Sequence, residues 1–514
     1  METFTMKSIL ILLIILQFLL PDTIAQPTQR YKNEVFSQID SVKNAQFGEA
    51  KNIRGEQEKL LLDVYMPHGD SLTKRPLVVF VHGGGFTSGD KASGYPLLFS
   101  KGLAKRGYVC SSINYRLGIE NPKNDTAYFE ASYRAVQDAK AAVRYFRKNF
   151  AQFDIDTTQI YIMGGSAGAM TALQLAYLDQ HEVPTYINTA KWGTVEGQSG
   201  NEGYSSRVKG VINCWGAMVN FRWIQKNDIP NFNIHGLTDN LVPSDSVFGY
   251  HSFRYGSQVI FEHSLALGIP TGIRLFENTA HTLDNDKTKQ EQALQEAAYW
   301  LATQLAYRPT IQRFEKEIAV FEQANQTEKY TNNAILFTGS SFIRLWKNIK
   351  QDLAPHEIIH RGFGGSTVAE MAYYIPRIAF PYAPKAIVFY TGSNDIADSS
   401  QDKTPLQVLE TFKYVVKTVR TKFPTIPIYW IAISPNERRW KVQNKIIEAN
   451  ELLKNYCQNT PNMHYIETMP QLLGKDGKYQ ADLYISDKLH FNDKGYAIWK
   501  EVIGGVLDKD FGKN

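Results

Sequence analysis

Gln159-Ile160-Tyr161-Ile162-Met163-Gly164-Gly165-Ser166-Ala167-Gly168, continued by Ala169–Leu178, decides how the rest of the chain is read. An apolar, β-branched-rich run enters a Gly-x-Ser-x-Gly turn, and an Ala/Leu-rich segment of helical character leaves it. A strand, a sharp bend and a helix in that order force the bend residue into strained dihedrals. Gly164 and Gly168 relieve the crowding between strand and helix. The Ser166 hydroxyl is then held at the top of a sheet and at a helix start, where the backbone N–H of Ala167 can face an anion. Read alone, the same letters also fit a small-residue loop, because short Gly/Ser motifs recur by accident.

Strand-like runs surround that turn. Lys59–Met66, Leu77–Val81, Tyr108–Asn114, Val208–Cys214, Asn231–His235 and Gly272–Phe276 read as strands. Leu97–Lys105, Phe129–Phe150 and Val259–Leu267 read as helices, the second with Val136, Ala139, Val143 and Phe146 on one face. Short continuous apolar runs alternating with helices predict a parallel α/β sheet covered on both faces.

An acyl-transfer serine needs a base, an orienter for that base and donors for an oxyanion. His82-Gly83-Gly84-Gly85-Phe86 leaves a strand with no side chains in its way, so Gly84 and Gly85 join Ala167 as candidate oxyanion donors. His82 itself reads as structural, holding that loop by hydrogen bonds. Asp239, in His235-Gly236-Leu237-Thr238-Asp239, is the candidate acid, and His281, after the next strand, the candidate base. Asp239 also fits a turn cap, and Asp245, Asp284 and Asp286 are nearby carboxylates able to replace it. His251 and His263 read as surface or packing residues. Serine, acid, histidine in that chain order, each after a strand, is the α/β-hydrolase order.

These motifs, with Asp138-Ala139-Lys140-Ala141-Ala142-Val143-Arg144, resemble the α/β-hydrolase esterases over about residues 50–305. They are most similar to the hormone-sensitive-lipase-like carboxylesterases and to bacterial feruloyl or acetyl esterases. The resemblance implies a Ser166–His281–Asp239 triad, no metal, and a short-acyl or aryl ester substrate.

At 514 residues the chain exceeds what one hydrophobic core usually organises, so two domains are expected. Domains are read at 27–307 and 308–514, with Arg308-Pro309 as the junction and a helix over Phe314–Ala324 packing onto the second. No long linker separates them, so the halves are expected to dock. In the second half Ala334–Thr338, Ile358–Arg361, Ala386–Tyr390 and Ile428–Ile433 read as strands. Helices are expected at about Val368–Ile378, Pro405–Thr421, Val442–Tyr456 and Lys494–Ile503. This predicts a second, smaller α/β sheet.

Four polar loops accompany it: Gly339-Ser340-Ser341, Gly362-Phe363-Gly364-Gly365-Ser366, Gly392-Ser393-Asn394-Asp395 and Asp487-Lys488-Leu489-His490. Any one is unremarkable; four on one sheet edge form a constellation. They resemble the blocks of the SGNH (GDSL-type) hydrolases, a three-layer α/β/α fold, from about residue 308 onward. Ser434-Pro435 with Arg438 resembles a further loop of that family. The resemblance implies Ser341 as nucleophile, its own N–H with Gly365 and Asn394 as oxyanion donors, and His490 as base oriented by Asp487. Ser340 stands where the family pattern has an acid, so any help from that acid is lost.

Hydrophobic content of 43% and charged content of 21% describe ordinary folded protein, and a net charge of +5 with no basic block gives nucleic-acid binding no support. Cys110, Cys214 and Cys457 lie in runs that read as buried, so they are expected to be unpaired. Residues 1–25 read as a signal peptide. Ile9–Leu20 is apolar apart from Gln17, and Thr23-Ile24-Ala25 offers a small-residue cleavage site. Glu2 is awkward for a positive leading region, which makes Met6 an alternative start to Met1. An exported protein, periplasmic or secreted and outside the membrane after cleavage, is expected.

Two serine sites on one exported chain suggest acetyl and feruloyl groups on plant polysaccharide as substrate, with no cofactor and no metal. Trp192, Trp215 and Trp223 read either as a cap offering aromatic faces to sugar rings or as buried core. A lipase-like esterase, or one catalytic half beside a silent carbohydrate-binding module, are the competing readings.

Overall fold

The computed structural model describes residues 30–512 except 122–123, 250–251 and 306–310. The expected signal segment, the Arg308-Pro309 junction and His251 therefore lie outside the described residues.

Among the described residues ten strands build the first half: β1 (Ile39–Lys51), β2 (Gln57–Pro67), β3 (Arg75–Val81), β4 (Val109–Ile113), β5 (Ile155–Gly165), β6 (Gly210–Cys214), β7 (Asn231–Gly236), β8 (Ser246–Gly249), β9 (Ser252–Tyr255) and β10 (Thr271–Phe276). Eight form one sheet in the order β1-β2-β4-β3-β5-β6-β7-β10, and β8 and β9 form a separate hairpin. From β4 to β10 neighbours run parallel, while β1 and β2 are antiparallel additions at one edge.

The apolar run of β3 shows why the sheet is covered on both faces. Leu77, Val79 and Val81 point into one hydrophobic cluster and Val78 and Phe80 into another. Alternate residues of one strand feed two cores, as the period of two requires. The helix Asp125–Lys148 covers the first face, burying Val136, Ala139, Val143 and Phe146.

The second half carries β11 (Ile335–Gly339), β12 (Ile358–Gly362), β13 (Ala386–Tyr390), β14 (Ile428–Ile431) and β15 (Met463–Ile466). They form a fully parallel sheet in the order β12-β11-β13-β14-β15. Here too Leu336 and Ile387 enter one core, and Ile335 and Val388 the other.

The halves share a core. Phe261, Leu265 and Ile273 of the first sheet's outer layer pack in one cluster with Ile375, Val408 and Phe412 of the second half. The helix Pro405–Lys422 lies against β10 and covers that exposed sheet edge, a site otherwise open to unwanted pairing. Polar contacts frame the seam: Glu296 accepts hydrogen bonds from Thr404 and Gln407, and Lys417 pairs with Glu262 at 2.7 Å. Leu265 is fully buried there. Leu265→Ala is expected to destabilise the chain by about 2–5 kcal/mol in urea unfolding. Both sheets should shift together; two separate transitions, only one of them moved, would show that the seam does not couple them.

Cys110, Cys214 and Cys457 are buried and unpaired. The aromatic cap does not form. Trp215 and Trp223 are buried, edge-on to Tyr95 and Phe129 respectively, and Trp192 lies against the Arg134 and Lys191 cations. Those indoles are spent on packing. No described helix is long and apolar enough to cross a membrane.

Candidate active sites

The turn after β5 is built by close approach. A Cβ on Gly164 would sit 2.2 Å from the Gly168 carbonyl oxygen, and one on Gly168 would sit 2.1 Å from that of Val81. No other residue type fits between strand and helix at this spacing. Ser166 takes φ +54° and ψ −122°, a strained backbone for a residue with a side chain, and the helix Ala167–Tyr177 starts immediately after it.

Ser166, His281 and Asp239 come together from three strand ends. His281 Nε2 lies 2.9 Å from the Ser166 hydroxyl oxygen, and His281 Nδ1 lies 2.6 Å from Asp239 Oδ2. A carboxylate only accepts, so Nδ1 carries the proton and Nε2 presents its lone pair to the serine O–H. Asp239 also accepts the backbone N–H groups of Leu241 and Val242. Burial alone would raise its pKa, but the bonds from His235, His281 and the Val242 N–H outweigh that and hold the carboxyl well below the usual range.

His235 escaped notice as a site residue. Its Nε2 donates to the Val242 carbonyl at 2.7 Å and lies 3.3 Å from Asp239, while Nδ1 accepts from Ser257. It stands four residues before the acid in the same short motif, and that spacing was the available signal. Of the rival carboxylates, Asp245 is exposed to solvent. Asp284 pairs with Lys289, and Asp286 accepts the first N–H groups of the following helix. His263 donates to the Ile224 carbonyl and packs against Phe221.

Gly84 and Gly85 line a cavity of about 530 Å³ that also contains Ser166 and His281. Among the described residues neither glycine N–H has a protein acceptor, so both are available to an oxyanion. Tyr95 fixes the loop by accepting the Gly83 N–H. His82 is buried, donates to the Gly83 carbonyl at 2.6 Å and stacks on Tyr115; burial pushes its pKa down, keeping the ring neutral.

The second constellation has the same chemistry on a different frame. His490 Nε2 lies 2.8 Å from the Ser341 hydroxyl oxygen, and His490 Nδ1 lies 2.6 Å from Asp487 Oδ2. Asp487 Oδ1 accepts the N–H groups of Leu489 and His490, so one short loop delivers base and orienter together. Burial opposes the ionised form, yet the His490 ring and these two N–H groups hold the Asp487 pKa below its ordinary value.

Sheet order explains the rest of this site. β11, which ends at Gly339 two residues before Ser341, lies between β12 and β13, whose loops carry Gly365 and Asn394. The two loops are tied to each other. Asn394 donates to the Ser366 carbonyl at 2.9 Å, and buried Asp395 accepts the Val368 N–H. Ser340 is buried against the sheet, its N–H donating to the Tyr390 carbonyl.

The cation in the Ser434-Pro435 loop is Arg439, not Arg438. Arg438 is exposed, whereas Arg439 is buried and donates to Asn394 Oδ1 at 2.8 Å. Two adjacent arginines are indistinguishable in sequence, and the six-residue 3-10 turn Glu437–Val442 decides which faces inward. Drawing charge toward Oδ1 strengthens the amide N–H groups of Asn394 as donors. Arg439→Met is expected to lower kcat at this site about 10- to 100-fold, less than deleting a donor outright. It should add nothing in an Asn394→Ala background. Additive losses in the double variant would mean that Arg439 acts through something else.

Among the described residues no group of three His, Cys, Asp or Glu is arranged to hold a metal ion. The fold and the two constellations define an α/β-hydrolase unit followed by a GDSL-type α/β/α unit. Residues 62–221 match the family model described as BD-FAE, and residues 331–498 match that of the GDSL-like lipase/acylhydrolase family.

Isoprenylcysteine alpha-carbonyl methylesterase of Arabidopsis thaliana is 33% identical over 120 residues, 23% of this chain and 25% of that protein. Fumonisin B1 esterase of Sphingopyxis macrogoltabida is 29% identical over 137 residues, 25% of each. The chain thus spans about a quarter of the length of these curated relatives. Among solved structures, Thermogutta terrifontis esterase 2 phosphorylated by paraoxon is 21% identical, with a TM-score of 0.39, covering 51% of this chain and 94% of that one.

Proposed function

We propose that the chain is a serine carboxylic-ester hydrolase with two separate acyl-enzyme sites, exported and acting as a carbohydrate esterase on acetyl and feruloyl groups of plant polysaccharide. The observation that carries this reading is the pair of Ser–His–Asp relays, each with a serine–histidine contact below 3 Å and a histidine–carboxylate contact of 2.6 Å.

In each relay the histidine Nε2 takes the serine proton as the hydroxyl oxygen attacks the ester carbonyl. The carboxylate stabilises the resulting imidazolium. The tetrahedral oxyanion is received by the N–H groups of Gly84, Gly85 and Ala167 in the first site. In the second it is received by those of Ser341 and Gly365 and by the Asn394 amide. The imidazolium then protonates the leaving alcohol, and water, activated by the same base, releases the acid.

The polysaccharide assignment is supported by the resemblance to feruloyl and acetyl esterases and by the export signal read in residues 1–25. Linking two sites on one chain raises the local concentration of the second near a polymer engaged by the first. The test compares 4-nitrophenyl acetate, butyrate and laurate with acetylated xylan and feruloylated arabinoxylan. Release of acetate or ferulate from polymer, with little laurate turnover, is expected. Preference for the long chain would replace this reading with a lipase-like one.

A further inference from the structure

The loop between β12 and the helix Val368–Ala379 is packed at one end and held by hydrogen bonds at the other. A Cβ on Gly362 would sit 2.4 Å from the Arg344 backbone nitrogen, and one on Gly364 would sit 2.3 Å from Arg344 Nε. This end therefore presses on the short helix Ser341–Leu345. At Gly365 the packing stops: a Cβ there would meet nothing within 4 Å, and the residue takes φ +85°. Its N–H has no protein acceptor among the described residues, whereas its carbonyl accepts from Arg313 Nη2 at 2.8 Å. Glycine lacks the Cβ that would restrict its torsions, so a charged donor on the carbonyl is what limits the swing of the N–H in the same residue.

Arg313 is itself fixed. Its Nε and Nη2 fork onto the buried Glu370 carboxylate at 2.5 and 3.1 Å. Phe314, next in the chain, is buried edge-on against Phe363 of the same loop. Glu370 also accepts from the Thr367 N–H and hydroxyl, so the helix start keeps those two bonds without the arginine, and the loss falls on Gly365. The match to the GDSL-like family covers residues 331–498, so this tie comes from sequence outside it.

Resting on the ester-hydrolase reading of Ser341, we propose that Arg313 is a positioning residue for the second site, holding the Gly365 N–H in place to receive the oxyanion. It acts through one glycine, from a turn that precedes the second sheet.

The test uses the full chain with Ser166→Ala, so that only the Ser341 site turns over. Each preparation is assayed on 4-nitrophenyl acetate and on its thiono analogue, in which sulfur replaces the carbonyl oxygen. Sulfur accepts hydrogen bonds weakly, so the oxygen-to-sulfur ratio in kcat/KM reads the strength of the oxyanion donors. Arg313→Gln is expected to lower that ratio about fivefold, with the pH midpoint of kcat/KM unmoved because the His490–Asp487 pair is untouched. Arg313→Lys should recover part of the ratio, since an ammonium reaches one acceptor but cannot fork onto Glu370 and also serve Gly365. Misfolded protein lowers both rates equally and leaves the ratio alone. An unchanged ratio in Arg313→Gln overturns the proposal, and so does a ratio that falls only together with a moved pH midpoint, which would place the effect on the relay. Turnover that survives Ser341→Ala, or its absence from the Ser166→Ala parent, defeats instead the ester-hydrolase reading of this site.

Discussion

Ser166→Ala is expected to erase turnover at the first site and leave the second intact, with Ser341→Ala doing the reverse. Removing the nucleophile of such a relay costs on the order of 10⁶ in kcat, because histidine and carboxylate have nothing left to act upon. Each single variant should therefore lose one subset of an ester panel entirely, and the double variant should lose all of it. Ser341 is 8% exposed and Ser166 partly buried, both at sheet ends, so a hydroxyl-to-hydrogen change leaves the packing almost untouched. Circular dichroism and melting temperature should accordingly stay at wild-type values. If either single variant silences the whole panel, one constellation is catalytically idle and the two-site proposal fails.

Much of this arrangement was legible because the chemistry imposes residue types that sequence displays directly. A glycine on each side of Ser166 is demanded by backbone contacts near 2 Å, and strand-ending polar loops need no knowledge of packing to be seen. What escaped was set by tertiary contact. β1 alternates half-buried and exposed residues along an outer edge, so its thirteen residues carry little apolar signal, and β15 is only four residues long. The choice of Arg439 over Arg438 depends on the phase of one tight turn. His235 acts through Asp239, so its place four residues before the acid was the one local mark it carried. The tryptophans illustrate the converse: indoles in a Gly/Asn-rich stretch fit a surface cap by composition, and only the packing against Tyr95 and Phe129 shows them to be interior.

The two carboxylates should differ in what they contribute, although their contacts to histidine are equal at 2.6 Å. The Asp239 side chain is fully shielded from solvent, whereas that of Asp487 is 39% exposed. Water screens the second pair and can stand in for the lost acceptor, while nothing can reach the first. Asp239→Asn is thus expected to lower kcat on the order of 10⁴, by leaving His281 in the wrong tautomer beside a buried amide. Asp487→Asn should cost about 10², the low end for general base catalysis. The pH dependence of stability follows the same division. Both carboxyls are held below their unfolded values, so each stabilises the fold above the ordinary carboxylate pKa of about 3.9, and that contribution fades as pH falls through the depressed folded value. Asp239→Asn should flatten the acid limb of a stability–pH curve below about pH 4, and Asp487→Asn should change it little, because an exposed pair contributes little. Equal kinetic losses in the two variants would show that solvent does not distinguish the sites, and that the orienting acid works through geometry alone.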